Sequence, residues 1–111
     1  MHAFDVLGDP VRRRILEILL SGEMASGEIV EVIAAEFGIS QPAVSHQLKI
    51  LRENGFATVR PQAQRRVYAL NSESFSEIEN WLAPFTRYRD QQLDALETEI
   101  ARGKKQRRTP K

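Results

Sequence analysis

Residues 40–55 read SQPAVSHQLKILRENG. Ser40 is a helix cap, a side chain that accepts from backbone N–H groups left free in the first turn. Pro42 falls inside that turn, where its missing N–H costs nothing, and Asn54-Gly55 supplies the stop. On a wheel at 100° per residue, Val44, Leu48 and Leu51 fall within about 60° of one another and form an edge fit for burial. Pro42, Ser45, His46 and Lys49 fall opposite, within about 100°, with Gln41 at the N-terminal rim. Over residues 41–52 this outward side offers hydroxyl, imidazole, ammonium and carboxamide groups and no acid, Glu53 being the only acid between residues 40 and 70. Such groups match base edges in a DNA major groove. Gln pairs with adenine N6 and N7, Lys and protonated His reach guanine O6 and N7, and Ser serves several bases. A helix N-terminus also favours a nearby phosphate.

Upstream, Asp9-Pro10 starts a helix whose apolar positions are Val11, Ile15, Ile18 and Leu19, with Gly22 as its end. Ser26 is the next expected cap, followed by Ile29, Val32, Ile33 and Phe37, and Gly38 stops that helix. Downstream the period changes. FATVRP at 56–61 and RRVYAL at 65–70 are rich in β-branched and aromatic residues and predict two strands joined as a hairpin. The polar link QAQ has no glycine, so a tip longer than two residues is expected. From about residue 73 to 102, Phe75, Ile78, Leu82, Phe85, Leu93, Leu96 and Ile100 trace one long helix, which Pro84 is expected to kink or shift. Two helices joined by the tight FGIS connection, then a hairpin, describe a helix-turn-helix with a wing.

The net charge of +1 is unevenly spread. Residues 1–39 hold three Lys/Arg against seven Asp/Glu, a net of −4; residues 40–70 hold five against one, a net of +4. Residues 71–101 hold two against seven, a net of −5, and the last ten residues, RGKKQRRTPK, add six positive charges and no negative one. Positive charge therefore gathers on the capped helix, the hairpin and the tail. This pattern suits a polyanionic partner met by the middle segment. In the hairpin, Arg60, Arg65 and Arg66 are the expected phosphate contacts, with an arginine available to the minor groove. Tyr68 alternates with them and is expected to pack within the sheet or core.

A chain of 111 residues suits one domain. We divide it into a folded DNA-binding and dimerisation domain at 1–102 and a basic disordered tail at 103–111. With no cysteine, there are no disulfides, thiolate metal sites or cysteine nucleophiles. No apolar run nears the ~20 residues of a membrane span, and the N-terminus lacks a signal-peptide pattern, so a cytoplasmic protein is expected. Ser45 and His46 are adjacent rather than facing. No carboxylate pair or phosphate-cradling glycine loop accompanies them, so catalysis is not expected.

LGDPVRRRILEIL, SGEI, GISQPAVSHQLKILRENGFATVRPQ and RRVYAL together resemble the ArsR/SmtB family of winged-helix transcriptional repressors, over about residues 3–100. The resemblance implies a mainly α fold with a small β-hairpin, dimeric through its first and last helices. It also implies two recognition helices presented to an inverted-repeat operator on double-stranded DNA. It places Ser40, Gln41, Ser45, His46 and Lys49 on DNA-reading or phosphate-contacting positions, and Arg65 and Arg66 in the wing. Phe4, Leu7, Trp81, Phe85, Tyr88, Leu93 and Leu96 are the candidates for self-association, each equally open to ordinary core packing.

Two departures from the family pattern bear on regulation. The second helix lacks the cysteine pair of thiol-based sensors. The last lacks the His and carboxylate pairs of the zinc type, because His2 and His46 are the only histidines. No metal and no cofactor are expected, and the effector stays open. Glu28, Glu31 and Glu36 read as a solvated acidic helix face rather than a hard-cation site. A rival reading keeps the winged helix and gives its basic face to an acidic protein partner instead of DNA.

Overall fold

The computed structural model describes residues 1–108, with side chains described through Gly103. In chain order the helices and strands are α1 (Ala3–Leu7), α2 (Pro10–Leu19), β1 (Met24–Ala25), α3 (Ser26–Phe37), α4 (Gln41–Glu53), β2 (Ala57–Gln62), β3 (Arg65–Leu70) and α5 (Ser76–Arg108). They form two compact units, residues 1–78 and the part of α5 from Glu79 onward. The class is the expected one, a mainly α winged helix-turn-helix with a small antiparallel sheet.

The first unit is built around apolar edges that meet. Val6, Ile15, Ile29, Ile33, Val44 and Leu51 are completely buried, so each of the first four helices sends at least one residue into a common core. Phe56 and Tyr68 close the core from the sheet side, Tyr68 being buried as its packing role required. Asp9 starts α2 as expected, its Oδ1 accepting from Val11 N at 2.8 Å and Arg12 N at 3.2 Å. Gly38 ends α3 at φ +65°, a left-handed cap that glycine adopts without steric cost. Ser40 then caps α4, its Oγ accepting from Ala43 N at 3.2 Å.

Four expectations change. The chain forms α1 ahead of Asp9, capped by His2, whose Nδ1 accepts from Phe4 N while Asp5 accepts from His2 N. Five residues are too few to show a helical period, and this helix depends on tertiary support. The support is Arg12, at 9 % exposure the one buried charged side chain among the described residues. Arg12 donates to Val6 O at 2.8 Å, Asp5 O at 3.0 Å and Gln47 Oε1 at 2.7 Å, joining α1, α2 and α4.

Ser26 is not the cap of α3. Ala25 occupies that position without a side-chain bond, because it is already held in β1 by pairing with Val67. The hairpin is thereby part of a three-stranded antiparallel sheet in the order β1-β3-β2. Its tip is shorter than expected: Gln62 pairs with Arg65, leaving only Ala63 and Gln64 to turn. Ala63 achieves this at φ +57°, a conformation that costs a non-glycine residue about 1–2 kcal/mol.

A 3₁₀ turn, Ser72–Phe75, capped by Asn71, precedes α5 and delays its start to Ser76. Phe75 meets Phe56 edge-on with ring centroids 5.3 Å apart, and Ile78 packs on the core, fastening the start of α5 to the first unit. In the second unit α5 continues unbroken through Pro84 to Arg108. The 33 residues make a rod of roughly 50 Å at 1.5 Å per residue. Residues 103–108, assigned to the tail, are helical; 109–111 lie outside the described residues.

Candidate nucleic-acid interface

The capped helix of the opening stretch divides as its wheel requires. Val44, Leu48 and Leu51 are 0 %, 2 % and 0 % exposed, while Gln41, Pro42, Ser45, His46 and Lys49 face solvent. The buried edge fixes the helix against α2 and α3, so the outward side chains project from a rigid backbone. Among the described residues, the side chains of Gln41, Ser45 and His46 have no hydrogen-bond partner, which leaves their donors and acceptors for a ligand. Ser40 differs: its Oγ is committed to the cap, and its exposed backbone marks the helix N-terminus. Lys49 lies 3.8 Å from Glu53, an exposed pair on successive turns that is worth little in water.

A groove separates the start of α3 from the start of α4. Ser26, Gly27, Val30 and Glu31 form one wall and Gln41, Pro42 and Ser45 the other. A second groove runs from Ala25 through Glu28 and Glu31 to Gln64 and Arg65. Glu31 borders both, so the space between α4 and the wing is edged by carboxylates. Sequence reading placed Glu28 and Glu31 on a solvated helix face. It did not show that this face adjoins the wing, which folding brings near from 37 residues away.

The wing arginines are not equivalent. Arg60 and Arg65 are ion-paired in this chain, Arg60 with Glu23 at 2.5 Å and Arg65 with Glu28 at 2.7 Å. Arg66 is exposed and has no ion pair among the described residues. On the far side of α3, Glu36 accepts from Arg14 Nε at 3.0 Å, and this bond raises the arginine further above its ordinary value. Arg14 thus stays a cation at any working pH and ties α2 to α3.

Gln47 is the residue that sequence reading omitted. It lies on the flank of α4, half-buried, with its carbonyl held by Arg12. No spacing rule joins positions 12 and 47; the only sequence signal is an arginine triplet at 12–14 whose first member falls on the apolar side of α2.

The self-association candidates fall into two groups. Phe4 is 39 % exposed, and Leu7 is partly buried against the core. On α5, Trp81, Phe85, Tyr88, Leu93 and Leu96 are all between 51 % and 61 % exposed. Trp81 and Phe85 contact each other at 4.7 Å between ring centroids, and Tyr88 Oη accepts from Gln92 Nε2 at 2.9 Å. Among the described residues no group of three or more His, Asp or Glu is placed to hold a metal ion. No described helix is long and apolar enough to cross a membrane.

Comparison with known proteins agrees with this geometry. Residues 9–59 match the family described as bacterial regulatory protein, arsR family, a span running from the α2 cap into the wing. The chain is 34 % identical over 92 residues to the transcriptional repressor SdpR of Bacillus subtilis, covering 83 % of this chain and 98 % of that protein. It is 34 % identical over 93 residues to the arsenical resistance operon repressor of Staphylococcus xylosus, covering 84 % and 75 % of the two chains. Among solved structures, an ArsR family transcriptional regulator superposes with a TM-score of 0.64 at 27 % identity, covering 79 % of this chain and 87 % of that one. With an exposed polar helix side set beside an arginine-bearing wing, and relatives matched along most of its length, this chain belongs to the ArsR family of bacterial transcriptional regulators.

Proposed function

We propose that the chain is a cytoplasmic, homodimeric transcriptional repressor that occupies an inverted-repeat operator and is not a thiol or zinc sensor. The observation that carries this reading is the unpartnered outward side of α4, where Gln41, Ser45 and His46 stand on a helix whose other edge is fully buried. A rigid helix with free donors and acceptors suits the major groove, and the wing arginines suit the backbone beside it. Gln41 and Lys49 read base edges, Ser45 and His46 supply shorter contacts, and the N-terminus at Ser40 meets a phosphate. Arg60, Arg65 and Arg66 act on phosphates and not on sequence.

Self-association rests on the apolar stripe of α5. Five large side chains half-exposed along one helix exceed the scattered apolar residues normal on a monomer surface. A second copy covers them, and twofold symmetry then presents two reading helices to half-sites about one helical turn, ~34 Å, apart. Repression follows from occupancy of DNA that a polymerase needs.

The decisive experiment is selection of duplexes from a random pool by the purified chain. An enriched motif with two inverted half-sites is the expected result. Enrichment of a single half-site would remove the dimer from the reading, and no enrichment at all would remove operator recognition. Binding should also weaken as salt rises, log K falling by about 0.9 per log unit of salt for each phosphate neutralised.

A further inference from the structure

The wing's three arginines differ in a way that DNA binding alone does not explain. Residues paired directly across an antiparallel ladder share a face, and neighbours along a strand alternate. Arg60 pairs with Val67 and Arg65 with Gln62, so Arg60, Gln62, Arg65 and Val67 stand on one face of the sheet. Ala25 pairs with Val67 and joins that face, with Glu23 in phase two residues before it. Arg66 pairs with Pro61 and stands on the other. The face with two arginines is the face that meets carboxylates: Glu23 holds Arg60, and Glu28, in the first turn of α3, holds Arg65. All four side chains are at least half exposed, so neither pair is needed to neutralise a buried charge. An exposed pair contributes little to folding and is easily exchanged for another anion.

Resting on the DNA-binding reading above, we propose that Glu23 and Glu28 are internal competitors for the wing arginines. Each occupies its arginine in the free protein and must give it up when a DNA phosphate takes its place. Together they set the strength of the sequence-independent part of DNA binding. The phosphate is a better partner only once the reading helix has brought it close, because the freed carboxylates then face the DNA backbone and repel it. Attraction between protein cations and phosphates supplies essentially all of non-specific binding, so an internal anion at two of those cations acts chiefly as a restraint on it. Arg66, on the other face and without a carboxylate, is outside this restraint.

The test uses the full chain and a labelled 30-base-pair duplex of arbitrary sequence, titrated at fixed salt. Glu28→Gln and Glu23→Gln are each expected to tighten binding about two- to fivefold, the range set by an exposed ion pair. Glu17→Gln, on α2 and paired with Arg14, removes the same charge away from the wing and gives the general effect of one negative charge fewer. The gain from Glu28→Gln should exceed that of Glu17→Gln and vanish when Arg65→Gln is already present. Equal gains from Glu28→Gln and Glu17→Gln overturn the proposal. So does weaker binding by Glu28→Gln, which would make Glu28 a positioning group for Arg65. If Arg65→Gln binds as tightly as the unaltered chain, the wing's place in the interface fails instead. The two failures are told apart by Arg65→Gln, which still weakens binding when only the competition fails and is silent when the wing itself makes no contact.

Discussion

Helices α4 and α5 both carry an apolar stripe, yet the chain treats them oppositely. In α4, Val44, Leu48 and Leu51 are covered within the first unit to 2 % exposure or less. In α5, Trp81, Phe85, Tyr88, Leu93 and Leu96 stay half exposed. The stripe of α4 is a folding element and leaves the opposite side of the helix exposed to solvent. The stripe of α5 is only partly covered, Trp81 and Phe85 in part by each other, and keeps about half of its surface exposed. The same period in sequence thus serves two purposes, decided by whether neighbouring elements reach it.

Substitution sharpens the contrast, and the core change has the largest effect. Leu51→Ala should cost about 2–5 kcal/mol of stability, because it opens a cavity at a fully buried position. Leu96→Ala should be close to neutral at dilution where the chain is monomeric. Urea melts at several protein concentrations measure both; equal losses in the dilute monomer would break the comparison. Arg12→Ala comes next, at about 2 kcal/mol, since it strands the buried Val6 carbonyl and frees Gln47, while Asp5 O keeps the Gly8 N–H. The same melts report it, and a loss below 1 kcal/mol would show that water replaces the guanidinium freely.

Phe85→Ala should act on association and not on the fold. Sedimentation of the variant should show a weaker dimer, with far-UV dichroism at dilution unchanged. Arg66→Ala should lower affinity for every duplex alike and reduce the slope of log K against log salt by about 0.9, the share of one phosphate. Gln41→Ala should instead alter the selected motif. The smallest effect is at the wing tip. Ala63→Gly should stabilise by about 0.5 kcal/mol, because relief at positive φ outweighs the greater freedom of glycine in the unfolded chain. A melt with Ala63→Gly less stable than the parent would mean that the tip bears no strain.

Local signals explain which parts were legible in sequence. Ser40, Pro42 and Gly55 bracket α4, and its wheel alone separates buried from exposed positions. The strands of the hairpin were visible in their β-branched and aromatic content. What escaped depends on partners distant in the chain. Strand β1 is two residues long and exists only through pairing with Val67 and Tyr68. Helix α1 has no readable period and relies on Arg12. The tight tip lacks the glycine that advertises such turns. Among the candidate site residues, exposure of Gln41, Ser45, His46 and Lys49 followed from the wheel, whereas the carboxylate partners of Arg60 and Arg65 did not. No sequence rule pairs residues 37 apart.

Arg12 carries a consequence for motion. A five-residue helix has no independent stability in water, so α1 depends on the burial of Ala3 and Val6 and on the guanidinium that holds two of its carbonyls. The same guanidinium holds Gln47 in the middle of the reading helix. When α1 frays, the cation loses two of its three acceptors and is drawn toward water, and the tether on Gln47 slackens with it. The N-terminus is thereby tied to the flank of α4 at Gln47 by a bond that spans 35 residues of sequence. A clamp on the first seven residues is expected to steady the Arg12–Gln47 tether without touching the outward side of α4.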